Sequence, residues 1–158
     1  MLAVSGTEEA AMQKALRSKI VDILTHTNDM TLATVRPDGW PQATTVSFVS
    51  DGLAIFFVTG AQAQKAKNIA KNGKVSLAVD RAYKTWNEIA GISLGGTAAR
   101  VTDEAEIAKI EKLVAKKFPQ MADFSMPEDA LAFFKVTPKV ISVLDYTKGF
   151  GHTDTVTL

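Results

Sequence analysis

Hydrophobic and polar positions alternate with a period of two along much of the first hundred residues, which predicts a series of β-strands. The runs cover residues 31–35, 42–50, 53–59, 74–80 and 92–101. The segments Pro37-Asp38-Gly39 and Asp51-Gly52 separate the first three runs, and both are turn sequences because Pro presets φ and Gly tolerates positive φ. Gly95 and Gly96 interrupt the fifth run and predict a bulge or a close backbone approach.

A period near 3.6 predicts three helices between and around these strands. The first covers residues 7–25, and Ser5-Gly6-Thr7-Glu8 before it resembles a capping box. The second covers residues 61–72 and has a narrow apolar face of small residues, namely Ala63, Ala66, Ile69 and Ala70. The third begins behind Asp103 and ends at Pro119.

The C-terminal third is predicted to contain a short helix over residues 127–132, then two strands over 133–136 and 140–146. Pro138 lies between these strands, and a loop follows over residues 148–154. Consecutive hairpins of short strands favour an antiparallel barrel, so the expected fold class is mainly β with flanking helices. We expect one domain over residues 1–158, with an N-terminal helix (1–28), a barrel core (30–101), helices (103–133) and a closing strand and tail (134–158).

The composition narrows the classes of function. The chain has 158 residues, 18 basic and 17 acidic side chains and a net charge of +1, which argues against a general nucleic-acid or membrane-surface binder. It has no cysteine, which excludes disulfides, thiolate catalysis and cysteine-ligated metals. No signal peptide is visible, and the longest clean apolar run, residues 53–58, is too short to span a bilayer. We therefore expect a cytoplasmic protein.

Few side chains are suited to acid–base or metal chemistry. The chain lacks a phosphate-binding loop motif, a GxGxxG motif and an HExxH motif. Its two histidines, His26 and His152, cannot form a three-histidine metal site, so no metal is expected. No catalytic residue can be assigned, and such a chain is a plausible host for chemistry performed by a bound cofactor.

The junction after the third strand suits a phosphate group. The period changes from strand to helix at Thr59-Gly60, and a helix that starts there presents free backbone N–H groups. Lys65 and Lys67 follow within two turns. The same residues are also compatible with an ordinary strand–helix junction that carries solvated lysines.

The second strand carries three hydroxyl side chains in four positions. Because successive side chains point to opposite faces, Thr44 and Val46 share one face while Thr45 and Ser47 share the other. These hydroxyls are suited to a polar ligand, although Thr is also common in strands for its β-propensity alone.

The order of these segments resembles the pyridoxamine 5′-phosphate oxidase-like family of FMN-binding split β-barrels. The resemblance is carried by ATVRPDGWPQATTVSFVSDGLAIFFVTG, by AQKAKNIAKNGKVSLAVD and by GISLGGTAARV, and it covers about residues 24–101. The tail from Val136 resembles the closing strand of small members of that family. The resemblance implies an FMN-binding homodimer with the flavin between the subunits and a small-molecule substrate.

The resemblance also implies a set of cofactor-binding residues. The isoalloxazine and ribityl chain would be lined by Thr44, Thr45, Val46 and Ser47, and Thr59 would meet the ribityl or phosphate. Gln64 and Lys65 occupy the place of a phosphate-binding Arg-Lys pair. Gln64 replaces the frequent Arg, and Thr44 replaces an Arg of the authentic oxidase, so two positive charges are missing. With no arginine after Arg100 and only His152 in the tail, the vitamin B6 enzyme itself is not expected.

Three hypotheses remain open at this stage. The first is an FMN-dependent oxidoreductase that acts on an unidentified small substrate. The second is a non-catalytic flavin carrier or sensor, because no acid–base residue is evident. The third keeps the barrel but changes the ligand, since related barrels bind the deazaflavin F420 or haem, and His152 is the only tail residue suited to reach haem iron.

Overall fold

A computed structural model describes residues 6–123 and 127–158. Within these ranges the chain forms three α-helices, which are α1 (Gly6–His26), α2 (Gln64–Lys71) and α3 (Glu104–Lys117). It also forms eight strands, namely β1 (Asp29–Val35), β2 (Pro41–Ser47), β3 (Val49–Asp51), β4 (Ala54–Gly60), β5 (Lys74–Asp80), β6 (Ala90–Val101), β7 (Leu131–Asp145) and β8 (Thr153–Thr157). No helix in the described part of the chain is both long enough and apolar enough to cross a bilayer.

The strands form one antiparallel sheet that curls into a split barrel. Its order is β2-β1-β5-β6-β7-β4-β3, and β8 pairs with β7. The two end strands, β2 and β3, follow each other in the chain, so the curl brings the sheet's ends together. Cα atoms of β2 and β4 come within 8 Å of each other, yet these strands are not hydrogen-bonded neighbours. The predicted antiparallel split β-barrel is confirmed.

The predicted second strand, residues 42–50, is wrong as a single element. It is broken at Phe48 into β2, which pairs with β1, and β3, which pairs with β4. The Phe48 N–H donates to the Asn28 carbonyl at 3.1 Å, and its side chain is buried. Phe48 and Val49 are both buried, so the alternation of buried and exposed residues is interrupted at the break. The change of pairing partner depends on residues distant in the chain.

Strand β7 is continuous, so the prediction of two strands separated by Pro138 is wrong. On one side, β7 pairs with β4 over Leu131–Val136 and with β8 over Val140–Leu144. Pro138 falls between these two partners. On the other side of β7, Pro138 lies opposite Gly96, where the register between β6 and β7 shifts. The missing N–H therefore interrupts no regular ladder, and the predicted bulge at Gly95 and Gly96 is confirmed.

Two further expectations change in the C-terminal third, and one N-terminal expectation is not tested. The predicted helix over 127–132 is only a 3-10 turn, Glu128–Ala130, because β7 already begins at Leu131. The predicted terminal loop, residues 148–154, overlaps the last residue of the 3-10 turn Tyr146–Lys148 and the first two residues of β8. The predicted capping box includes Ser5, which lies outside the described residues.

Two apolar clusters fix which faces of the sheet are covered. The barrel interior is closed by α1 through Ile20, Ile23 and Leu24, each buried, and contains a stacked Phe57–Phe134 pair with ring centroids 5.1 Å apart. The second cluster lies on the outer face, where Ile110 and Phe118 of the α3 region pack with Phe56 of β4. Helix α3 thus covers the outer face near β3 and β4, while the side chains facing outward from β1, β2 and β5 are largely exposed.

Candidate functional site

The candidate site residues of β2 are divided between the two faces of the strand. Gln42, Thr44 and Val46 face inward, and Val46 is buried. Thr45 and Ser47 are exposed on the outer face. The alternation predicted from the sequence is confirmed, since the outer pair is exposed while Thr44 is only partly exposed and Val46 is buried.

The outer face near Thr45 is flat because its side chains are small. We call this surface the outer platform. One row of register neighbours crosses six strands and consists of Thr45, Thr31, Ala78, Ser93, Ser142 and Thr155. The adjacent row begins with Ala43, Ala33, Ser76 and Gly95. No side chain among these ten residues is larger than Thr, so a planar ligand or a second protein can lie close to the backbone there. The second row continues from Gly95 to the exposed Val140.

Thr44 has an unsatisfied hydroxyl group. Its Oγ1 atom is buried and has no hydrogen-bond partner among the described residues. An unpaired buried hydroxyl costs free energy that a hydrogen-bonding ligand can recover. Thr44 is therefore suited to contact a polar group brought to the inner side of β2.

Helix α2 begins at Gln64, three residues later than the sequence predicted. Its N-cap residue, Ala63, has no side-chain oxygen with which to cap the helix. Within the described chain, the N–H groups of Gln64, Lys65 and Ala66 have no acceptor. The late start places Lys65 in this uncapped first turn, and its ammonium group pairs with no described carboxylate. Free N–H groups beside a cation are suited to an anion.

A buried amide holds the start of α2 against the barrel. Asn68 is 0% exposed, and its Nδ2 donates to Thr34 Oγ1 at 2.9 Å and to Gln42 Oε1 at 3.0 Å. Its Oδ1 accepts from Gln64 Nε2 at 2.8 Å. We call these four residues the Asn68 network. It connects the first turn of α2 with β1 and β2.

The Asn68 network was not predicted from the sequence, although Asn68, the central residue of the network, is part of the motif Lys-Ala-x-Asn. Asn68 is buried beside Ile69, whereas Ala70, predicted for the apolar face, is exposed. Gln64 was predicted as a cofactor ligand. Its side-chain amide donates within the protein, so it also holds α2 in place.

Thr59 lies at the end of β4, opposite Ala132 of β7. The connection from β4 to α2 is held by two backbone hydrogen bonds, from Ala61 N to Ala130 O at 2.8 Å and from Ala63 N to Gly60 O at 2.9 Å. These bonds fix the path of the chain between Thr59 and the first turn of α2.

The tail residues form a separate group. His152 Nε2 is buried and lies 3.0 Å from Asp154 Oδ2. The hydrogen bond from Lys148, at 2.7 Å, and then the neighbouring His152 ring hold the pKa of Asp154 below its ordinary value. Nearby, the exposed Trp86 ring stacks on Phe150 with centroids 6.1 Å apart. The described residues contain no cluster of three or more His, Asp or Glu side chains that could hold a metal ion.

Comparison with known proteins relates this geometry to a family. The family model described as pyridoxamine 5′-phosphate oxidase matches residues 16–145. Among curated proteins, general stress protein 26 of Bacillus subtilis strain 168 is 28% identical over 104 residues, which is 63% of this chain and 74% of that protein.

Two solved structures have the same fold. A conserved hypothetical protein from Mycobacterium tuberculosis superposes with a TM-score of 0.73 at 24% identity, over 87% of this chain and 89% of that chain. A heme binding protein from Mycobacterium smegmatis superposes with a TM-score of 0.72 at 23% identity, over 99% of this chain. The chain spans 60% of the length of that second protein.

Proposed function

The chain belongs to the pyridoxamine 5′-phosphate oxidase family, and we propose that it is an FMN-dependent oxidoreductase that acts on a small molecule. The observation that carries this proposal is the uncapped first turn of α2. Three free N–H groups and the unpaired Lys65 ammonium occur together there. Lys65 would attract the phosphate as a point charge, and the N–H groups would donate hydrogen bonds to its oxygens.

The residues of the chain fit the other parts of FMN as well. The buried Thr44 hydroxyl is available for a hydrogen bond to the ribityl or ring edge, and the outer platform beside Thr45 and Ser47 is flat enough for a three-ring system. Three more residues complete the proposed contacts. Thr59 and Gln64 lie at the two ends of the β4–α2 connection, and Val46 lies next to Thr45.

A second copy of the chain would cover the outer platform. The platform is open over several strands and is made of small side chains, which allow close packing between two surfaces. We propose a homodimer with FMN between the subunits, so that the partner excludes water from the flavin. We propose no nucleic-acid or membrane partner, because a net charge of +1 gives the chain no excess of basic side chains.

The chain's own contribution to catalysis would be binding and orientation. Bound FMN supplies the capacity to accept or donate a hydride, which no side chain of this protein can do. The Asn68 network would hold the anion-binding turn in place, and the small platform side chains would let the flavin ring lie close to the backbone.

The proposal is tested by titrating the cofactor-free protein with FMN and, separately, with riboflavin, which lacks the phosphate. Lys65→Ala should weaken FMN by about 1–3 kcal/mol, the scale of one lost charge-assisted hydrogen bond, or roughly 5- to 150-fold. Riboflavin affinity should not change. Lys71→Ala, an exposed lysine in the last turn of the same helix, is the matched control. If Lys65→Ala binds FMN as tightly as the control does, the phosphate lies elsewhere.

Haem is the second candidate ligand, because a heme binding protein has the same fold. The tail histidine offers little support for it, since His152 Nε2 faces Asp154 at 3.0 Å. Titration of the cofactor-free protein with haem and with the deazaflavin F420 distinguishes the ligands. The flavin-carrier alternative is tested by anaerobic reduction with NADH or NADPH and addition of acceptors, since sustained turnover would exclude a purely carrying role.

A further inference from the structure

A pocket opens at the break between β2 and β3, next to the proposed flavin site. Its volume is about 280 Å³. Ser47, the last residue of β2 and a proposed cofactor contact, lies on its wall, and Phe48 at the strand break forms part of its floor. A molecule in this pocket would therefore lie beside the edge of the outer platform.

The pocket is apolar inside and polar at its rim. Phe48 and Phe56 are each 1% exposed, and Val114 and Phe118 of the α3 region complete the apolar wall. A small lining that contains several aromatic side chains suits one aromatic or otherwise planar ring. The volume is at the low end for ligand pockets, which excludes large substrates.

One carboxylate determines the charge of the rim. Asp29 is the only ionised side chain among the residues that line the pocket, all of which belong to the described chain. Its Oδ1 accepts a hydrogen bond from Ser47 Oγ at 2.6 Å. Its Oδ2 accepts none from any described residue, so it remains available to a donor on a ligand.

The nearest cation, Lys117, is held by backbone carbonyls and also interacts electrostatically with Asp29. The Lys117 ammonium donates to the carbonyls of Leu24 and Thr27, at 3.3 and 2.6 Å. It also lies 4.2 Å from the centroid of the Phe48 ring, and it is not part of the pocket lining. Lys117 thus lies behind Phe48, outside the pocket lining, and its ammonium group offsets part of the Asp29 charge.

We propose that this pocket is the substrate pocket and that it selects small planar compounds that are neutral or cationic and carry a hydrogen-bond donor toward Asp29. Anionic and phosphorylated compounds are rejected, because their charge would meet the Asp29 carboxylate. Naming the occupant as the substrate rests on the proposed flavin function, whereas the selection by charge rests on the pocket alone.

The test uses three probes of nearly the same shape, benzamidine, benzamide and benzoate, which are cationic, neutral and anionic. Dissociation constants are measured by two-dimensional NMR on the isotope-labelled full chain, with and without FMN. Benzamidine should bind at least about fivefold more tightly than benzoate, a modest ratio because Asp29 is solvent-exposed, and benzamide should lie between them. The shifted resonances should include those of Ser47, Phe48 and Val114.

Two variants and one control make the result specific. Asp29→Asn should remove the preference for benzamidine over benzoate. Glu111→Gln, an exposed acid on α3 outside the pocket, should retain it. Val114→Trp should fill the pocket and abolish binding of all three probes while leaving the fold's NMR spectrum otherwise intact.

Equal affinities for the three probes, tightest binding of benzoate, or no binding of any probe would overturn the proposal. Failure of the flavin proposal gives a different result, namely a protein that binds benzamidine at these residues but binds no FMN. If both hold, benzamidine should also change the absorbance spectrum of the bound flavin, because the pocket adjoins it.

Discussion

Replacing Asn68 by leucine tests whether the buried amide fixes α2 in place. The substitution keeps a similar volume but removes three hydrogen bonds, to Thr34, Gln42 and Gln64. Gln42 and Gln64 are partly or fully exposed, so water can replace their lost partner at small cost. Thr34 is only 3% exposed, and its hydroxyl would lose the amide donor in a dry environment.

The expected cost follows from this difference. An unsatisfied buried hydroxyl costs about 1–3 kcal/mol, and the rehydrated glutamines add little. We expect Asn68→Leu to lower the free energy of unfolding by about 2 kcal/mol, which for a chain of this size corresponds to a Tm lower by roughly 4–8 °C. FMN affinity should fall as well, because the first turn of α2 loses its anchor.

Urea unfolding followed by circular dichroism measures the effect. Gln64→Ala is the control, because it removes one hydrogen bond from a more exposed group and should cost at most about 1 kcal/mol. The substitutions Asn68→Leu and Thr34→Val should be non-additive. The double variant should lose about 1 kcal/mol less free energy of unfolding than the sum of the two single losses. An Asn68→Leu protein within about 0.5 kcal/mol of the unsubstituted protein, or strict additivity, would refute the reasoning.

Two further substitutions test the packing and the charges of the barrel. Gly96→Ala would place a Cβ 2.4 Å from the Thr137 carbonyl oxygen and should cost about 3 kcal/mol, whereas a Cβ at Gly60 meets nothing closer than 4.0 Å. Equal stability of Gly96→Ala and Gly60→Ala would contradict this difference. Burial alone would raise the pKa of Asp145, but hydrogen bonds, first that from Lys19, outweigh burial and lower it. A carboxyl group whose pKa is lowered in the folded state stabilises the fold above its ordinary pKa, and this contribution is lost as the pH falls through the lowered pKa. Asp145→Asn should therefore cost about 2 kcal/mol at pH 7, the scale of one hydrogen bond to a charged group, and the difference should shrink below about pH 4. A difference that stays constant in acid unfolding experiments from pH 7 to pH 2 would show that the ion pair has no such role.

Local sequence signals identified the elements whose structure depends on near neighbours. Strand β5 begins and ends as predicted, because alternation and the flanking turn are both local. Asp103 caps α3 as expected, since its side chain accepts from the Glu106 N–H at 2.8 Å. The bulge at Gly95 and Gly96 was also predictable, because only glycine permits such a close approach of strands.

The elements that were missed depend on partners distant in the chain. The break at Phe48 arises because β2 and β3 pair with different strands, and the continuity of β7 through Pro138 arises because two other strands leave that position unpaired. The first two residues of β8 fall in the predicted loop, because the short polar sequence Thr153–Thr157 gains its structure by pairing with β7.

The candidate site was predictable in part. The position of Lys65 and the alternation along β2 followed from the sequence, and the family resemblance supplied the proposed cofactor contacts. The Asn68 network could not be derived, because its hydrogen bonds join residues 26 and 34 positions apart. The uncapped start of α2 at Gln64 was also missed, because the sequence contains no capping residue to mark where the helix begins.

Identification of the ligand that copurifies tests the central proposal most directly. The full chain would be purified from cells grown with added riboflavin, and the released ligand would be identified by absorbance and mass spectrometry. The account predicts FMN at close to one equivalent per protomer. A protein that contains haem or a deazaflavin in place of FMN, or no flavin after supplementation, would contradict it.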